Sequence, residues 1–138
     1  MRRVRVGRLL MTFVLVIQAA LGFALDWSGN HLLNPLWHPH ARFHGALLLF
    51  LLTGVSATGV WLMWRESREP EVAITASALI SLSFWTPFFY IAALLPSATP
   101  WAGDPGAIPH IAGHVFYPNV AVAGGFLLAT AAAWYLGR

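Results

Sequence analysis

Four long apolar runs leave this chain few ways to fold. They cover about residues 9–25, 43–64, 72–95 and 111–136. Each is near the roughly 20 residues a helix needs to cross about 30 Å of hydrocarbon. In lipid, backbone polar groups must be paired internally, so isolated runs of this kind fold as helices. Charged residues make up 9% of the 138 residues, against about 25% in a soluble domain. The expected fold class is therefore all-α integral membrane, a single transmembrane domain over 1–138 with four transmembrane helices.

Within the runs, few residues interrupt the apolar pattern. Gln18 is the only strongly polar side chain in the first, and Pro87 predicts a kink in the third because proline removes one helical hydrogen bond. The first run also has signal-peptide traits: a basic front, RRVRVGR, and small residues at Gly22 and Ala24. The expectation taken is a retained membrane anchor. Small residues in runs two and four, such as Gly45, Gly54, Gly59, Gly113, Gly124 and Gly125, suit close helix contact. Spans two and four are accordingly expected to touch.

Arginine sets the expected orientation. Arg2, Arg3, Arg5 and Arg8 precede span one, Arg65 and Arg68 lie between spans two and three, and Arg138 follows span four. Four alternating spans put these seven on one side and leave Arg42 alone on the other. The positive-inside rule makes the seven-arginine side cytoplasmic. Both termini are then cytoplasmic, and the loops at about 26–42 and 96–110 face the periplasm or the exterior of an inner or plasma membrane. This distribution also accounts for the net charge of +3 without a nucleic-acid partner. The chain has no cysteine, which excludes disulfides, thiolate metal sites and CxxC chemistry.

All six histidines fall at the outer side: His31, His38, His40, His44, His110 and His114. Four of them belong to two similar phrases, PHARFH over 39–44 and PHIAGH over 109–114. The match extends upstream, where Asn34-Pro35 lies over Asp104-Pro105. The halves, about 1–68 and 69–138, thus read as two helical hairpins forming a parallel internal repeat, related by an axis along the membrane normal. Asn34 and Asp104 suit helix N-caps followed by proline; Pro39 and Pro109 mark alternative helix starts.

On a helix, residues four apart share one face, about 6 Å apart along the axis. His40 with His44, and His110 with His114, are then each able to close on one metal ion, and two such helices facing each other would supply four nitrogens. Asp26 and Asp104 are the nearest carboxylates for a direct or supporting role. The helix N-terminus favours neutral imidazole, as metal ligation requires, yet repels the cation itself. Arg42, within the first phrase, suits an anion or substrate. Trp27, Trp37 and Trp101 read as interfacial anchors, while Trp85, Pro87, Phe88, Phe89 and Tyr90 are candidates for an apolar pocket or a lipid-facing aromatic band.

The run HLLNPLWHPHARFHG, through Asn34, Pro35, Trp37, Pro39, His40, Ala41, Arg42, Phe43 and His44, resembles the first outer loop of a family of small uncharacterised four-span membrane proteins. That resemblance implies the four-span plan and brings no activity with it. The layout is also loosely similar to the emopamil-binding and sterol-isomerase superfamily, but the acidic residues which that likeness would require within the spans are missing.

Three functions compete. The first is a metalloprotein holding iron, copper or zinc on His40, His44, His110 and His114, with redox chemistry on a lipid-soluble substrate. The second is an accessory subunit of a larger membrane complex, purely structural or holding a haem or chlorin on one histidine per helix. The third is a small transporter or lipid-binding protein in which Arg42 and the histidines recognise an anionic group.

Overall fold

The computed structural model describes residues 2–138. Four of its helices are long and apolar enough to cross a membrane. They are α1 (Arg2–Asp26), α2 (Pro39–Trp64), α3 (Pro70–Trp85) together with the 3-10 turn that extends it to Phe89, and α5 (Pro118–Gly137). A single-turn helix, α4 (Ile91–Leu94), and a two-stranded hairpin, β1 (His110–Ile111) with β2 (His114–Val115), lie in the long connection between α3 and α5.

The helix boundaries follow from proline. Pro39, Pro70 and Pro118 all sit in the first turns of their helices, where a missing N–H costs nothing. Pro87 falls where the third span leaves α-helical geometry. The α-helix ends at Trp85, and the chain tightens into a 3-10 turn over Thr86–Phe89. The fourth span likewise starts at Pro118 rather than near residue 111. A helix running from 111 would place Pro118 in its interior and lose the bond to the carbonyl four residues back.

The four long helices pack as neighbours in the order α1, α2, α3, α5, with α5 closing back onto α1. The α1–α3 diagonal is in contact, whereas α2 and α5 do not touch. The expected meeting of spans two and four is therefore corrected. Their glycines do not make a shared seam: Gly54 and Gly125 have open space beside them. The closest approach instead joins α1 to α5. A Cβ added to Gly7 would clash with the backbone of Gly137 and lie 2.7 Å from the Ala133 carbonyl oxygen.

Both described ends of the chain thus lie at one end of the bundle, where Arg3 donates to the Tyr135 carbonyl at 3.0 Å. The loop after α2 joins them, because Arg8 of α1 lines a common groove with Arg65 and Ser67. The seven arginines grouped by the sequence pattern share this end.

Lipid tails are as apolar as leucine, so polar pairs and close packing hold such bundles together. The interior carries five buried polar side chains, Gln18, Ser56, Ser77, Ser81 and Thr130. All are satisfied. The Trp85 indole N–H donates to Gln18 Oε1 at 3.1 Å, and Gln18 Nε2 donates to Ser56 Oγ at 3.0 Å. An indole only donates, which fixes the orientation of the amide. Ser77 donates to the Gly59 carbonyl at 3.1 Å. Thr130 spends its proton on the Phe126 carbonyl, so Ser81 is the donor in the 2.7 Å Ser81–Thr130 bond.

Trp85 is only 4% exposed and stacks on Phe126 with ring centroids 4.3 Å apart. It is a core residue, neither lipid-facing nor free to line a pocket. Gln18→Leu would remove both interhelical bonds and strand the indole N–H. A loss of about 2 kcal/mol is expected in reversible unfolding from micelles, against about 0.6 kcal/mol for Ser81→Ala, which removes one average interhelical bond.

Candidate functional site

The two histidine-bearing connections begin with the same local device. Asn34 Oδ1 accepts from the Leu36 N–H, and Asp104 Oδ1 accepts from the Gly106 N–H, each at 2.9 Å. The Asn34 carbonyl then accepts from Trp37 N–H, as that of Asp104 does from Ala107 N–H. Asx-Pro sequences favour such turns because the side chain imitates a backbone acceptor. Neither residue caps a transmembrane helix.

Beyond these turns the two phrases diverge. In the first, His38 caps α2, its Nδ1 accepting from the His40 N–H at 3.2 Å. Pro39 opens the helix, and His40 and His44 fall one turn apart on its surface. Their Nε2 atoms are 3.0 Å apart. The ring centroids are separated by only 4.5 Å with planes at 89°. The rings are therefore folded toward one another rather than set end to end. Both histidines are exposed.

In the second phrase the expected helical turn is absent. Ala112 and Gly113 take φ values of 51° and 80°, and two consecutive left-handed residues make the tight turn of a β-hairpin. His110 pairs with Val115, and Ile111 with His114. Opposed residues share a face of the hairpin and successive residues alternate, so His110 and His114 point to opposite faces. His110 Nδ1 lies 2.8 Å from the Ile108 carbonyl. A carbonyl only accepts, so the proton sits on Nδ1, and in neutral imidazole the Nε2 lone pair is free. The glycine and the later Pro118 decide this outcome, where the first phrase has helix-compatible Arg42 and Phe43.

The carboxylates go elsewhere. Asp26 Oδ1 is 3.9 Å from His31 Nε2, the one ion pair among the described residues. Asp104 is occupied by its turn. Arg42 is half-buried and donates from Nε to the Leu32 carbonyl at 2.6 Å. It pins the loop between α1 and α2 to α2, and Leu32 packs against Gly45 on the same helix. Among the described residues, no group of three or more His, Asp or Glu side chains is placed to hold a metal ion. The four-histidine centre expected on two facing helices is thus not assembled within the chain, since α2 and α5 are apart and only the first pair shares a helical face.

No family model, curated protein or solved structure matches the chain.

The hairpin geometry is open to a direct check. Gly113→Val introduces a β-branched residue at φ 80°, where such side chains are strained. The variant is expected to open the hairpin and speed hydrogen exchange at the Phe116 N–H, which donates to the Pro109 carbonyl at 2.8 Å. Amides within α2 are expected to keep their protection.

Proposed function

We propose that this chain is an integral membrane protein that captures a transition-metal ion at its outer face through His40 and His44. The observation that carries this reading is the 3.0 Å separation of the two Nε2 atoms on one exposed helical turn. With nitrogen–metal distances of about 2.05 Å, that separation corresponds to a bite angle of about 94°. Such an angle suits tetragonal copper(II) better than tetrahedral zinc. The pair supplies two ligands, and the remaining positions are left to water, to a lipid-soluble substrate in redox chemistry, or to another molecule. In this reading the arginine-rich end is cytoplasmic, as the positive-inside rule requires, and the histidines face the periplasm or exterior.

The parallel duplication belongs to the same proposal, and the bundle interior supports it better than the histidines do. The buried positions Met11, Leu15, Gln18 and Gly22 of α1 correspond in order and spacing to Ile74, Ala78, Ser81 and Trp85 of α3. Those of α2, Leu49, Ser56, Gly59 and Met63, correspond to Ala123, Thr130, Ala133 and Gly137 of α5. The Gln18–Ser56 bond is then the counterpart of Ser81–Thr130. Thr12 and Thr75 are counterparts too, and each accepts from a tryptophan of the following span, Trp64 or Trp134. In this register His40 corresponds to His114 and His44 to Pro118, so the second histidine phrase is not a copied chelate.

A second reading is favoured by the exposure of both rings. The chain would be an accessory subunit whose partner completes the coordination, with haem or chlorin as the group held.

Copper(II), zinc or nickel(II) titrated into metal-free protein in micelles, with elemental analysis after desalting, tests the proposal. About one copper ion per chain is expected. Affinity should fall at least about tenfold in His40→Ala and in His44→Ala and hold in His110→Ala. No retained metal would overturn the reading, and a Soret or chlorin band in the purified protein would support the accessory one.

A further inference from the structure

At the arginine-rich end a groove of about 340 Å³ opens where α1, α2 and α3 meet. Its walls include Arg8 from α1, Trp64 and Arg65 at the end of α2, Ser67 from the connecting loop, and Pro70 and Ala73 of α3. Arg8 is half-buried. Neither guanidinium has a carboxylate within ion-pair distance, the one ion pair among the described residues being at the opposite end. Glu66 also borders the groove, yet it closes on neither arginine. Aromatic rings engage both Arg65 and Arg138 at this end, and a carbonyl engages Arg3. Arg3 holds the Tyr135 carbonyl and Arg138 lies 4.0 Å over the Trp134 ring.

We propose that this groove binds a phosphate-bearing anion between the Arg8 and Arg65 guanidinium groups. Guanidinium presents a planar fork of donors that matches phosphate oxygens in pairs. Two forks, one on α1 and one just past the end of α2, supply two positive charges against the single carboxylate of Glu66. The Ser67 hydroxyl adds a further donor. The position of the groove fits an amphiphile. Trp61 and Trp64 are exposed at the end of α2, as tryptophans are at headgroup level, and Arg65 is held 5.5 Å from the Trp61 ring centroid. The side chains of Leu62 and Ala73 give the groove apolar wall on its bundle side. The phosphate has two sources, the headgroup of an anionic phospholipid or free inorganic phosphate. This inference is independent of the histidine pair at the other end.

Protein in phosphatidylcholine nanodiscs is compared with protein in discs that also contain phosphatidylglycerol. Native mass spectrometry counts retained lipid, and thermal unfolding is followed with and without added inorganic phosphate. Retained phosphatidylglycerol and a raised Tm are expected, with affinity reduced about tenfold in the Arg8→Gln/Arg65→Gln double variant. Arg5→Gln, which removes an exposed charge from the same end outside the groove, is expected to behave as wild type. Protection by inorganic phosphate that displaces the lipid identifies free phosphate as the ligand and keeps the site. An equal loss in Arg5→Gln would overturn the proposal in favour of diffuse surface charge, as would no difference between wild type and the double variant. Should the double variant fail to fold, single Arg65→Gln, in the exposed loop, carries the same test with an expected severalfold loss.

Discussion

The side-chain amide of Gln18 ties three of the four long helices together. It accepts from Trp85 on α3 and donates to Ser56 on α2 while projecting from α1. In lipid an apolar substitute would gain nothing by burial, whereas losing both bonds and orphaning the indole costs about 2 kcal/mol. The bond set therefore dictates which faces turn inward. Trp85, once drawn to Gln18, is available to stack on Phe126, which brings in α5. At the far end, the contact of Gly7 with the Gly137 backbone closes α5 onto α1.

That arrangement decides what the histidines at the opposite end can do. Because α1 and α3 take the short diagonal, α2 and α5 stand at opposite corners. A ligand set drawn equally from those two helices has no place to form in one chain. The first histidine pair nevertheless meets on its own helix turn, with the Nε2 atoms 3.0 Å apart. The second pair is split by a hairpin whose turn depends on Ala112 and Gly113. Metal capture at the outer face, as proposed, is then a property of the first connection alone. The loop around it is tied down at two points: Arg42 anchors Leu32, and His38 caps the helix that carries both histidines.

Much of this was legible in the sequence, because hydrocarbon thickness and backbone pairing allow so few solutions. The four spans, the sharing of one end by seven arginines and the i, i+4 meeting of His40 with His44 follow from run length, alternation and helical period. Gln18 was visible as a lone polar residue, but nothing in a single sequence names its partners. The role of Trp85 was hidden for the same reason. Aromatics near a span end read as interfacial until a buried acceptor is found. The second phrase misled through local likeness. The Pro-His spacing suggested a helix, while the competing signals, glycine in a tight turn and Pro118 at a helix start, lay among apolar residues that fit either structure. Arg8 and Arg65 were legible as orientation signals only. That they face a common groove depends on the packing of three helices.

The proposed metal-binding unit is His40 with His44, with nothing from the second connection. Electron paramagnetic resonance of the copper(II)-loaded protein reads this directly through the nitrogen splitting of the metal signal. Coupling to two imidazole nitrogens in each chain is expected, both removed when the pair is substituted together. Coupling to four nitrogens that falls when His110 or His114 is substituted would contradict it.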